Sequence, residues 1–382
     1  MRPRSILVAS LVAVLLCAGV AAPVAAQGSP TVDGAQLQTA TADAGAGADA
    51  ETDADACSFP VELTDASGET LRLEERPERV TTTNPSAAQT MWEIGGREQV
   101  VGVTRYASYL EGAEERRDVS SEFGVSIEKV QGTQPDLVLV PNSTDSDQLA
   151  KLRRVGLPVF HLPRAHTIED IADKTTTIGR LTGNCEGAAE TNAWMNERVE
   201  ESQLSVAADE RPTILYPLGS GYVAAGDTFI SEMLSVAGAQ NVAARNHTGY
   251  PQLSDEVVLQ LDPKYLLITD RDTDIVNEEP YSLTTAGREN NTIHVDVQWV
   301  NQPAPRSVVY TVENVSAQLQ ADRTAEGAAT ATPATTAPAT EDGDDDNGTA
   351  TSNETPGFGP VVATVALIAT ALVARARGGG RE

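Results

Sequence analysis

Ser126-Ile127-Glu128-Lys129-Val130 leads through Pro135-Asp136 into Leu137-Val138-Leu139-Val140. Ser254-Asp255-Glu256-Val257-Val258 leads through Pro263-Lys264 into Tyr265-Leu266-Leu267-Ile268. Serine, glutamate, valine and proline recur at one spacing, and each proline precedes an apolar run short enough for a buried strand. A second series agrees, because Met91, Gly96 and Val100 are spaced like Met233, Gly238 and Val242. Two shared spacings in the same order predict two lobes on one α/β plan, with function in the cleft between them.

Outward from the first copy, strands and helices alternate. Strands are expected at Val80 to Thr83, Val100 to Thr104, Leu137 to Val140 and Pro158 to Leu162. Helices are expected at Pro85 to Ile94, from Ser126, and at Asp145 to Arg154. The second copy restarts at Thr213 to Tyr216, with helices from Thr228 and Ser254, a strand at Tyr265 to Thr269 and a closing helix at Ser307 to Gln320. Such alternation with short Gly/Pro-marked turns argues for parallel sheets covered by helices. Between the copies, Thr167 to Ala207 is helical in composition, broken only at Gly183-Asn184. The predicted fold class is α/β: an N-terminal lobe (57–165) and a C-terminal lobe (209–320), joined through connecting helices (166–208) that read as a single long helix, with the ligand cleft between the lobes.

Composition excludes one large class of partner. The 382 residues carry 27 basic and 55 acidic groups, a formal net charge of −28. Nucleic acid is not an expected partner, since a phosphate backbone requires a basic face. An acidic excess over the whole surface suits a protein kept hydrated at very high salt, where screening removes most self-repulsion. The alternative is an ordinary acidic secreted protein.

Residues 1–26 read as a secretory signal: Arg2 and Arg4, an apolar run from Ile6 to Val20, then Val24-Ala25-Ala26 as a small-residue cleavage site. Its removal takes Cys17 and leaves Cys57 and Cys185. An isolated cysteine pair in an exported chain is expected to be bridged, the alternative being two separate buried thiols. Residues 27–56 and 321–355 are low-complexity tethers rich in Ala, Thr and acids. Acceptor triplets for N-glycans begin at Asn142, Asn246, Asn290, Asn314, Asn347 and Asn353. At the end of the chain (356–382), Pro356-Gly357-Phe358, a short apolar segment and three arginines resemble the PGF-CTERM sorting signal of halophilic archaea. The resemblance implies a sorting peptidase that exchanges the tail for a lipid anchor. With the tail kept or exchanged, the body is held on the outer face of the membrane.

No catalytic constellation is present in the sequence. His161, His166, His247 and His294 are scattered, with no helical i, i+4 pair for zinc. Gly219-Ser220-Gly221 followed by Gly226 has the wrong spacing for a dinucleotide loop, and neither a nucleophile elbow nor a phosphate-binding loop occurs. The chain is therefore read as a non-enzyme with no cofactor and no metal site.

These residues resemble the substrate-binding proteins of ABC importers for cobalamin and iron chelates, over about residues 58 to 320. Arg79-Val80 with Asn84-Pro85-Ser86 is similar to that family's first strand and ligand-facing turn, and Val100-Val101-Gly102-Val103 with Tyr106 and Tyr109 to its second. Gly226-Asp227-Thr228 opens the second lobe's first helix in the family's manner. Tyr250-Pro251-Gln252-Leu253-Ser254, Trp299 and Pro305-Arg306 resemble the cobalamin-binding members, although Phe123 and Tyr250 stand where those members carry Trp. The resemblance implies a planar ligand held between aromatic faces, with Tyr106, Phe123, Tyr222, Tyr250 and Trp299 as candidates, helped by Asn84 and Ser86. For Phe123 and Trp299 the competing reading is packing under loops. The resemblance also makes Glu128 and Glu256 the carboxylates that meet arginines of an ABC permease dimer, which works with its ATPase subunits. A glutamate at that position also stabilises a helix N-terminus without any partner. The reading is a cell-surface protein capturing cobalamin for an ABC importer. Its alternatives are an iron(III)-siderophore or haem binder and, from another class, a glycosylated surface-layer or adhesion protein.

Overall fold

A computed structural model describes residues 57–122, 124–270 and 274–330. Phe123, the signal (1–26), the first tether (27–56), the second tether from residue 331 and the sorting tail (356–382) lie outside the described residues.

The described residues begin with an antiparallel hairpin, β1 (Val61–Thr64) and β2 (Thr70–Leu73). The first lobe then runs β3 (Val80–Thr82), α1 (Pro85–Glu93), β4 (Val100–Val103), β5 (Arg117–Asp118), α2 (Ile127–Gly132), β6 (Leu137–Val140), α3 (Ser146–Arg154) and β7 (Val159–His161). Its sheet is parallel in the order β5-β4-β3-β6-β7. Two helices follow, α4 (Ile168–Thr182) and α5 (Cys185–Ser202). The second lobe runs β8 (Thr213–Gly219), β9 (Tyr222–Ala224), α6 (Phe229–Val236), β10 (Gln240–Asn241), α7 (Asp255–Leu261), β11 (Tyr265–Ile268), α8 (Thr285–Glu289), β12 (Thr292–His294), α9 (Val297–Val300) and α10 (Pro305–Thr330). Its sheet has the order β10-β8-β11-β12, with β9 antiparallel on β8. Setting aside β5 and β9, the two lobes share one strand order: second, first, third, fourth.

Physical chemistry explains why the repeated stretches fold alike. Ser126 and Ser254 cap α2 and α7, their side chains accepting from the amides of Lys129 (3.3 Å) and Val257 (3.4 Å). Before the two prolines, Gln134 and Asp262 both take left-handed backbone, at φ 50° and 37°, which ends each helix. The strands that follow, β6 and β11, are buried at every residue. In the other series Met91 and Met233 are both fully buried, but the glycine match slips. The left-handed residue is Gly95 in the first lobe and Gly238 in the second.

The connector departs from the expected single long helix. Gly183 at φ 67° stops α4 and reverses the chain. Asn192 of α5 donates to Ala172 O (2.9 Å) and Thr176 Oγ1 (3.0 Å), so α5 returns antiparallel to α4. The chain therefore passes between lobes along a two-helix hairpin. Near its bend Cys57 and Cys185 are bonded, with Cα atoms 6.0 Å apart. The closing helix also differs, running to Thr330 and not stopping at Gln320. Residues 321–330 continue it because Ala, Arg and Glu there are strong helix formers, and Lys264 meets Glu326 at 2.9 Å.

Candidate ligand-binding cleft

Parallel strands bring their following loops to one edge of a sheet, the usual place for a site in open α/β folds. After β3, Asn84 caps α1, accepting from Ala87 N at 3.4 Å while its Nδ2 donates to Ser86 Oγ at 2.9 Å. Ser86 itself is buried. Its role is internal, whereas its neighbour Pro85 faces the cleft.

After β4, the turn Arg105–Ala107 projects Tyr106, which is 57% exposed. Pro85, Arg105, Tyr106 and Tyr109 of the first lobe and Asn301 and Gln302 of the second surround a cavity of about 240 Å³ between the lobes. Tyr222 at the β8–β9 turn (45% exposed) and Tyr250 (44%) stand on adjoining segments of the second lobe. Val223 N donates to Pro251 O at 3.0 Å, and Ala225 N to Gly249 O at 2.9 Å. Among the described residues the exposed aromatic side chains are Tyr106, Tyr222, Tyr250 and Tyr310. Three of these four are ligand candidates from the sequence. Burial raises the Tyr250 phenol pKa and the charge of Arg164 opposes the shift.

Trp299 differs from the three exposed candidate tyrosines. It is half-buried, and its ring meets Tyr109 edge-on at 5.3 Å and Tyr310 at 5.1 Å. The structure therefore places it in the seam between lobes, with one edge of packing to each. Further seam contacts lie beside it. Gln89 Oε1 accepts from Ser307 Oγ at 2.8 Å, and Arg306 pairs with Glu93 at 2.5 Å. Burial raises the Glu93 carboxyl pKa and Arg306 opposes it. Burial also pushes the Tyr109 phenol up.

Sequence reading passed over Gln89, Glu93 and Lys174, and met Arg306 only as part of the family resemblance. Gln89 and Glu93 lie on α1 and their partners Ser307 and Arg306 on α10, far along the chain, so no local signal joins them. Lys174 did carry a signal: it occupies the apolar stripe Ile171, Lys174, Ile178 of α4, where a solvated lysine has no place.

Glu128 and Glu256 are the second residues of α2 and α7, both exposed. Among the described residues neither forms an ion pair. A second cavity, of about 450 Å³, lies beside α7 within the second lobe and is walled by Asp255, Glu278 and Glu279. Its carboxylates suit a planar apolar ligand poorly. Among the described residues no cluster of His, Cys, Asp and Glu could hold a metal ion, and no helix is long and apolar enough to cross a membrane.

Comparison with known proteins accords with this geometry. Residues 80–298 match the model of the periplasmic binding protein family. A cobalamin-binding protein of Halobacterium salinarum is 42% identical over 268 residues, which span 66% of this chain and 72% of that protein. Among solved structures, the periplasmic vitamin B12 binding protein BtuF of Vibrio cholerae superposes with a TM-score of 0.56 at 24% identity, covering 65% of this chain and 98% of the other. The apo haem-binding protein RhuT of Roseiflexus sp. RS-1 superposes with a TM-score of 0.55 at 20% identity, covering 63% and 99%. The names of these relatives are those of ligand-binding proteins, for cobalamin, vitamin B12 and haem. By both the family match and the haloarchaeal relative, the chain belongs to the periplasmic binding protein family.

Proposed function

We propose that this protein captures cobalamin at the cell surface and delivers it to an ABC importer. The observation that carries the reading is the 42% identity to a haloarchaeal cobalamin-binding protein across both lobes. The exposed tyrosines support it, since Tyr106, Tyr222 and Tyr250 offer flat apolar faces with polar tips to a large planar ligand. Asn84, next to the cavity-lining Pro85, and Trp299, packed on the cavity-lining Tyr109, are the supporting candidates, and Phe123 is the remaining aromatic one. Glu128 and Glu256, exposed at equivalent helix starts, dock one lobe each on the permease dimer. The C-terminal tail, processed by a sorting peptidase, anchors the protein to the membrane, and the exposed acceptor Asn246 carries a glycan.

Haem is the second reading, favoured by the superposition on a haem-binding protein at nearly the same TM-score as on BtuF. The absorbance spectrum of protein purified from its own cells separates the two. A corrinoid spectrum is expected; a haem or ferric-siderophore spectrum replaces cobalamin with that cargo.

A further inference from the structure

Lys174 is 3% exposed, on the face of α4 that meets both lobes. Its Nζ donates to Pro303 O, in the turn between α9 and α10, and lies 3.5 Å from Ser86 Oγ at the start of α1. The adjacent residues, Pro85 on one lobe and Gln302 on the other, line the interlobe cavity. One ammonium from the connector thus reaches both walls of the cleft, a single residue behind its surface.

Stability alone does not account for this arrangement. No carboxylate pairs with Lys174 among the described residues, and burying an unpaired cation is costly. An apolar side chain of similar length would fill the site more cheaply. The neighbouring seam is also polar, with Gln89 Nε2 and Thr311 Oγ1 buried and lacking partners among the described residues. A nitrogen placed here has a positional use, because its directed N–H donors hold the Pro303 carbonyl and the Ser86 hydroxyl where dispersion contacts would let the two turns slide.

We propose that Lys174 is a positioning residue for ligand capture, pinning the Pro85-Ser86 turn of one lobe and the Gln302-Pro303 turn of the other so that both cleft walls are in place before the ligand arrives. Walls ordered in advance spare the ligand the cost of ordering them. The effect on ligand affinity rests on the cobalamin reading above, whereas the pin itself does not.

Two substitutions test it. Lys174→Met keeps the length and removes every donor, and Lys174→Gln keeps a donor. The Met variant is expected to melt at or above the wild-type temperature. Its affinity for cobalamin should fall about tenfold, through faster dissociation. In the ligand-free protein, amide exchange at Gln302 and Ala304 should speed up, with Lys174→Gln recovering part of both losses. Wild-type affinity together with wild-type exchange in Lys174→Met overturns the proposal. If the wild-type protein binds no cobalamin, the cargo reading fails and the exchange rates alone decide the pin. Should Lys174→Met not fold, Lys174→Gln, which leaves a shorter side chain with fewer donors, decides the pin, and exchange at Gln302 and Ala304 faster than in the wild type is then expected. Unchanged exchange there overturns the pin.

Discussion

Trp299 meets Tyr109 edge-on, with ring centroids 5.3 Å apart and planes at 86°. Tyr109 belongs to the first lobe and Trp299 to the second, so the aromatic side chain expected to stack on ligand also joins the lobes. Tyr310 holds the other edge of the same indole. Truncating a buried Trp costs about 3–5 kcal/mol, and a half-buried one roughly half of that. Trp299→Ala should therefore lower stability by about 2 kcal/mol in denaturant melts at fixed salt. Trp299→Phe should recover much of it. A stability loss below roughly 0.5 kcal/mol, the scatter of ordinary surface changes, would place Trp299 outside the seam's energetics.

The disulfide makes a separate prediction. Cys57 and Cys185 close a loop with a sequence separation of 128 residues, for which the chain-entropy model gives about 4–5 kcal/mol as an upper figure. Neither cysteine lines the interlobe cavity. Cys57→Ser with Cys185→Ser should lower the melting temperature and leave ligand affinity within a few-fold. Peptide mapping without reductant should recover the two cysteines in one linked fragment. Two free, alkylatable thiols in the native protein contradict it.

Lys174 gives stability a pH dependence whose sign is fixed. Burial lowers its pKa from 10.5 to about 7. Between those values the native state binds fewer protons than the unfolded chain, so stability rises with pH. The contribution is complete above the unfolded pKa and is lost as pH falls through the folded one. On the elements around it, burial raises the Glu93 carboxyl of α1 above the ordinary carboxylate value, and Arg306 of α10 opposes the shift. The Tyr109 phenol, raised by burial, titrates beyond the alkaline end of the window. Denaturant melts between about pH 7 and 9 should show stability climbing in the wild type and nearly flat in Lys174→Met. An equal slope in both assigns the dependence to other groups.

Docking is predicted to be separable from capture. At 1 M salt the Debye length is about 3 Å, so long-range steering is nearly abolished and close charge-assisted hydrogen bonds to Arg remain. Reversing both charges, Glu128→Arg with Glu256→Arg, should abolish uptake in cells while the isolated protein binds cobalamin within a few-fold of wild type. Uptake at the wild-type rate would reduce both glutamates to helix-terminal stabilisers.

Much of this architecture was legible because its signals are local. Ser126 and Ser254 cap helices, Pro135 and Pro263 open strands, and the apolar runs after them are buried, all within a dozen residues of sequence. The hairpin at Gly183 was visible as a break, but a glycine can end a helix, kink it or reverse it, and only the packing of Asn192 on Ala172 decides which. The β1–β2 hairpin went unread because each strand has four residues and Asp65 does the joining. That carboxylate accepts from Ser67 N at 2.9 Å and from His161 N at 3.0 Å, the latter 96 residues along the chain. At the cleft, exposed tyrosines were readable from loop positions. The interlobe contacts were not, since Gln89 and Ser307 meet across 218 residues.

Calorimetry of the mature protein at high salt tests the central claim most directly. The account predicts one cobalamin bound per protein, with binding weakened when Tyr106, Tyr222 and Tyr250 are each changed to Ala. Absence of heat with cobalamin, alongside tight binding of haem or a ferric siderophore, would contradict it.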